Sequence, residues 1–199
     1  IIRGTCNFSL KSLNAQNAGA TFVVIYNQAS AGNTPDVIAS FSSRGPGVGN
    51  VLKPDITAPG VNILAQGYTP NATGEARHLG FGQASGTSMA APHVTGAAAL
   101  LKQIHPGWSP AWIKSALMST SKYLDIFTHT GAPAQPLDMG AGRLDLTNAA
   151  DPGVILDPPS LSFGAVTLGM EKKLEVTLTS VADTTETYEI STLNTEMGF

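Results

Sequence analysis

The sequence predicts an α/β chain whose final part turns into antiparallel β structure, and three observations carry that reading. Short β-branched and aromatic runs, at Thr21–Asn27 and again around Val37 and Val61, alternate with stretches of helical spacing. An apolar segment, Met89 to His105, is followed at once by a second helix signature that begins at Ser109-Pro110. Past Asp157-Pro158-Pro159 the helical period disappears, and apolar and polar residues alternate instead.

In chain order, Phe8, Leu10, Leu13, Ala15 and Ala18 recur at helical intervals, and Gly19 closes the run as a C-cap. Thr21–Asn27 reads as a buried strand, and residues 28–35 as a loop. A second short strand, "DVIASFSS", is broken by the glycines of 44–50. Two prolines and a glycine then precede an apolar strand over Val61–Ala65. Residues 67–85 are polar and Gly-rich, which predicts a loop or irregular β structure.

Met89 to His105 is the strongest helix. Being apolar nearly all round, it is expected to be buried. His105-Pro106-Gly107 stops it. The next helix starts with Ser109 as N-cap and Pro110 at its first position, with Trp112, Ile113, Ala116 and Leu117 on its buried face. Asp157-Pro158-Pro159 is a stiff linker. Beyond it "KLEVTLTS" sets Leu174, Val176 and Leu178 against polar residues, as a half-exposed strand would, and "ETYEIST" repeats the pattern. These are the opening strands of a β-sandwich, too few to close one.

Composition narrows the function. The 199 residues can bury a real core as one large or two small domains. Eleven Lys and Arg face fourteen Asp and Glu, a formal net charge of −3. No basic stripe points to nucleic acid, and no Lys/Arg run points to an anionic membrane surface. Only 13% of the residues are charged, a balance more typical of secreted hydrolases than of cytosolic helical proteins. Cys6 is the single cysteine, so no disulfide can form within the sequence. There is no leader-like n-region and h-region, and no long apolar span. Both ends read as cuts, so the chain is expected to be a piece of a larger protein.

The chemistry concentrates at Ser88. A serine hydroxyl attacks only when its proton is removed and the resulting oxyanion is stabilised. A serine at the start of an apolar helix meets the second need, through unpaired N–H groups and the positive end of the helix dipole. Gly86, Ala90 and Ala91 are small enough for a substrate backbone to come close, and Pro92 is expected to fall in the first turns, where its missing N–H costs least. The local pattern fits a plain capping serine equally well, since capping serines outnumber catalytic ones.

Beyond local physics, "SGTSMAAPHVTGAAALL", Ser85 to Leu101, resembles the serine-bearing motif of the subtilisin-like serine peptidases, the subtilases. Further segments agree in order: "IASFSSRGP" and "KPDITAPGVNILA" before it, "HPGWSPAWIKSALMSTS" and "GAGRLDLTNAA" after it. The likeness covers residues 38 to about 150. "RGTCNFSLKSLNAQNAGATFVVIYN" resembles the protease-associated (PA) insert of large secreted subtilases, although only a short loop follows it where a full insert would continue. The tail resembles the fibronectin-III-like sandwich that follows such catalytic domains.

The resemblance implies residues 1–35 as a partial PA-like insert, and 36–152 as the C-terminal part of a parallel-sheet catalytic domain. Residues 153–199 would then open a sandwich. It also implies a serine endopeptidase working through an acyl-enzyme on Ser88, whose backbone N–H enters the oxyanion hole, with Gly86 and Thr87 supporting the cleft. The triad Asp and His, and the oxyanion Asn, are expected before Ile1, since no Asp-Thr-Gly or His-Gly-Thr stretch occurs in the sequence. His93 is expected to be scaffold, Asp55 a structural carboxylate, and Asn33 a loop residue.

The isolated chain is therefore expected to be inactive, with protein or peptide substrates and the missing N-terminal part of the same domain as its partners. An extracellular or cell-surface location is implied. No cofactor is expected. His78, His105 and His129 have no zinc spacing, and calcium, whose oxygen ligands leave a weak signature, stays open. Two other readings compete. One is a non-catalytic extracellular binding module derived from a subtilase. The other is an α/β-hydrolase, whose elbow needs a buried apolar strand before the serine, which "HLGFGQAS" does not supply.

Overall fold

The computed structural model describes residues 34–69 and 78–192. The expected helix of Phe8–Ala18, the strand Thr21–Asn27 and Asn33 lie outside the described residues. In order the elements are β1 (Val37–Ile38), β2 (Ile63–Thr69), β3 (His78–Ala84), α1 (Thr87–Ile104), α2 (Pro110–Ser119), β4 (Phe127–Thr128), α3 (Pro136–Met139), β5 (Val154–Asp157) and β6 (Thr177–Ser180). The chain is thus mixed α/β, with small parallel and antiparallel sheets. It divides into two compact units.

The described part of the first unit takes 34–35, 59–69 and 78–92. Its strands β2 and β3 pair antiparallel from Ile63 opposite Ala84 to Thr69 opposite His78. Of the Gly-rich stretch 67–85 expected to be a loop or irregular β structure, the described residues 67–69 and 78–84 are strand. Gly67 sits opposite Gly80, and Gly82 opposite Ala65, so small residues recur along the ladder. Residues 81–84 are exposed. The apolar strand expected at Val61–Ala65 begins later, at Ile63, and runs further, to Thr69.

The second unit takes 36–58 and, among the described residues, 93–192. Its core gathers Ala97 and Leu101 of α1 with Trp108, with Ile113, Ala116 and Leu117 of α2, and with Ala149 and Ile155. The start of α2 follows the sequence signature: the Ser109 hydroxyl accepts from the Trp112 N–H at 3.2 Å, and Pro110 opens the helix. Lys102 closes α1 by donating from Nζ to the carbonyls of Pro106 (2.6 Å) and Trp108 (2.8 Å), a cation where the helix dipole is negative. The His105 ring stacks on Trp108 with centroids 3.8 Å apart. The buried hydroxyl of Ser115 accepts the Leu156 N–H at 2.8 Å, fastening β5 to α2.

The helix α1 departs from expectation in one respect. It is not buried all round: Ala97 and Leu101 are its buried residues, while Leu100 and Ile104 are 39% and 56% exposed. Composition announced an apolar helix. Its neighbours within this unit, α2 and the 149–155 segment, cover one stripe of it, the i and i+4 positions.

The segment 55–57 is laced to residues 141–144. The Thr57 N–H donates to the Gly142 carbonyl at 2.8 Å, and the Leu144 N–H to the Thr57 carbonyl at 2.7 Å. Lys122 and Arg143 exchange backbone bonds of 2.9 and 2.7 Å beside them. Gly142 makes this possible. At φ +130° a Cβ there would lie 2.1 Å from the Lys122 carbonyl oxygen, a distance no side chain survives. The Asp36 carboxylate meets Lys122 Nζ at 2.7 Å and Arg143 Nε at 3.0 Å.

Elsewhere the strands are shorter than predicted. "DVIASFSS" yields only Val37–Ile38, parallel to β4, because the chain turns at once with the Ser42 N–H on the Ala39 carbonyl. In the tail β6 covers Thr177–Ser180, antiparallel to β5, and residues 186–192 form no strand. Leu174, Val176 and Leu178 are all exposed, so the alternation there has no apolar layer of the described residues to face.

Candidate active site

The turn at residues 85–88 is tied by two hydrogen bonds to the segment Gly60–Asn62. The Gly86 N–H donates to the Gly60 carbonyl at 2.8 Å, and the Asn62 N–H donates to the Ser85 hydroxyl oxygen at 2.8 Å. The helix then starts at Thr87, with the N–H groups of Met89 (3.0 Å) and Ala90 (3.3 Å) sharing the Gly86 carbonyl. The N–H groups of Thr87 and Ser88 precede any carbonyl the helix could offer them. The first turn carries no acidic residue to offset the positive end of the dipole.

Gly60 sets how closely these segments approach. A Cβ on it would come within 2.9 Å of the Gly86 carbonyl oxygen and 3.2 Å of the Ala90 Cβ. Glycine at 60 and alanine at 90 thus permit the approach that aligns the turn with β2.

Ser88 is the second residue of α1 and is exposed. It is not the N-cap, which falls to Gly86, so the capping role open to it on sequence alone is taken by another residue. What remains is an accessible residue at a helix start, with its own N–H beside its hydroxyl. Such an arrangement can present an oxygen nucleophile and donate to an oxygen that gains charge. Gly86 is half-buried, and Thr87 is exposed next to Ser88, so these three expected residues do lie in one turn.

Pro92 needs correcting. It sits inside α1 as the sixth helical residue, beyond the first turn, so no N–H of residue 92 reaches the Ser88 carbonyl. His93 follows on the same helix and is half-buried. Five residues along a helix turn it about 140° away from Ser88. Asp55 belongs to the second unit, where its carboxylate meets Lys53 Nζ at 2.6 Å and Lys114 Nζ at 3.1 Å. Burial pushes that carboxyl up, but hydrogen bonds from Lys53 and Lys114, and their charges, outweigh it and hold it below the usual carboxylate range.

His105 has Nε2 within 2.7 Å of the Ala150 carbonyl, and His129 is exposed. Among the described residues no three His, Cys, Asp or Glu side chains gather as a metal site. Among them, too, no helix is long and apolar enough to cross a membrane. Gly60, Asn62 and the hydroxyl of Ser85 were not singled out from sequence. The signal available was Pro59-Gly60-Val61-Asn62, a small-residue turn entering β2.

The sequence model of the Subtilase family matches residues 9–154. The chain is 51% identical over 136 residues to subtilisin-like protease SBT1.7 of Arabidopsis thaliana, a match covering 61% of this chain and 18% of that protein. It is 51% identical over 133 residues to subtilisin-like protease SBT1.6 of the same plant, covering 61% and 17%. To SBT1.5 it is 41% identical over 175 residues, covering 81% and 22%. The chain thus spans roughly a fifth of the length of the curated relatives it matches. The match contains the whole turn that presents Ser88 and extends over well more than half of the sequence, and the chain belongs to the subtilase family.

Proposed function

We propose that this chain carries the nucleophile of a serine endopeptidase and that Ser88 is that nucleophile. The observation that supports the reading is the exposed Ser88 hydroxyl at the second position of α1, inside the region matched to the family. In the reaction Ser88 Oγ loses its proton to a base and forms a bond to the scissile carbonyl carbon. The carbonyl oxygen takes up the charge and accepts from the Ser88 N–H. As the C–N bond breaks, the base returns its proton to the leaving amine, and water then hydrolyses the acyl-enzyme by the same steps.

The base, a His, with its Asp and an oxyanion Asn, belongs to the preceding part of the same catalytic domain. This chain by itself therefore leaves Ser88 protonated and inactive. Residues 1–35 would be part of a PA-like insert, 36–152 the end of the catalytic domain, and 153–199 the start of a fibronectin-III-like sandwich. Proteins or peptides are the substrates, reached outside the cell, and Gly86 and Thr87 line the cleft.

Ser88→Ala in the full-length protein tests this. Turnover of casein should fall by at least about 10⁴-fold with the thermal midpoint unchanged. Labelling by a fluorophosphonate should be lost with it. Undiminished turnover would overturn the reading.

A further inference from the structure

Ser85 lies three residues before Ser88, and its hydroxyl is directed both as acceptor and as donor at one residue, Asn62, just before β2. Its oxygen accepts the Asn62 N–H at 2.8 Å, and its proton points to Asn62 Oδ1 at 3.4 Å. One residue on, Gly86 donates to the Gly60 carbonyl at 2.8 Å. The turn is thus attached at two adjacent points to the same short segment, Gly60–Asn62. Asn62 holds φ +51°, a left-handed conformation that asparagine tolerates, and this is the backbone that offers its N–H to Ser85.

We infer that Ser85, acting through Asn62, is a positioning residue for Ser88. The inference rests on the reading of Ser88 as nucleophile and adds to it a second support for the turn. Gly86 has no Cβ, so with the Ser85 bond removed the attachment to this segment rests more heavily on the Gly86–Gly60 bond, next to the turn's most permissive residue. The hydroxyl and N–H of Ser88 then lose fixed direction. A misplacement of this kind lowers the rate of bond making and leaves substrate binding as it was.

Steady-state kinetics on the full-length protein test the inference, with fluorophosphonate labelling of Ser88 as a second readout. Ser85→Ala should lower kcat about 10-fold with KM within about twofold, and slow labelling in parallel. Ser85→Thr, which keeps the hydroxyl, should return kcat to within about threefold of the parent, a rescue that a merely structural position would not show. Should Ser85→Ala fail to fold, Asn62→Gly decides. It keeps the backbone conformation and the N–H but removes Oδ1, and should lower kcat about two- to threefold at constant KM.

Turnover surviving in Ser88→Ala removes the nucleophile reading and this inference with it. If Ser88→Ala is inactive but Ser85→Ala keeps the parental kcat, the positioning inference alone is overturned. Ser85→Thr as slow as Ser85→Ala, or an unchanged kcat in Asn62→Gly where that variant decides, overturns it in the same way.

Discussion

Two helices in this chain begin beside a serine, and the two serines have different tasks. Ser109 stands one residue before α2 and spends its hydroxyl on the Trp112 N–H, closing an orphan donor of the first turn. Ser88 stands one residue inside the start of α1, where the N-cap is already Gly86, and its hydroxyl is exposed. A shift of two positions along the helix start separates a cap from a candidate nucleophile. Residue type alone says neither.

Substitutions break or sharpen that contrast, and the largest effect belongs to Ser88. A loss of about 10⁴-fold in turnover is worth about 5.5 kcal/mol of transition-state stabilisation, and none of it should appear in unfolding. A Ser88→Ala protein that unfolds at markedly lower urea would make Ser88 structural after all.

Next in size is the core that α2 feeds. Leu117 is 3% exposed among Ile113, Ala116 and Ile155, so Leu117→Ala should cost about 2–5 kcal/mol in urea unfolding, with kcat of the folded protein intact. Ser109→Ala follows at about 1 kcal/mol, the usual value of an N-cap, again without effect on turnover. Equal turnover losses from Ser109→Ala and Ser88→Ala would erase the distinction drawn between the two helix starts.

The smallest effect concerns pH. Lys53 and Lys114 hold the Asp55 carboxyl below its ordinary value against the opposing pull of burial, so its folded-state pKa lies below that of the unfolded chain. Its contribution is complete above the unfolded pKa of about 4 and fades as pH falls through the folded value. Asp55 is partly exposed, which limits the contribution to under about 1 kcal/mol. Asp55→Asn should flatten the acid limb of the stability curve below about pH 4, and an unaltered limb would place the acid sensitivity elsewhere.

Much of this was legible in the residues. Ser109-Pro110 announced the start of α2 because a cap acts on N–H groups two or three residues away. His105-Pro106-Gly107 announced the end of α1 for an equally local reason. Ile113, Ala116 and Leu117 share a stripe fixed by helical geometry, and all three are buried. Gly86, Thr87 and Ser88 are consecutive, so their meeting needed no folding information.

Other features were out of reach for a physical reason. β3 hides in a Gly-rich stretch whose ladder with β2 is set by pairing across the hairpin. The exposed side of α1 depends on which neighbours cover it, which the apolar run does not encode.

The sequence by itself determined where α1 stops and where α2 starts, because those follow from contacts a few residues apart. The tertiary structure alone decided what holds the turn before Ser88. Asn62 and Ser85 meet across 23 residues of chain, and Thr57 and Gly142 across 85. Such partners share no local period or spacing that would pair them, and a close approach like that of Gly60 to Ala90 exists only once the chain has folded back on itself.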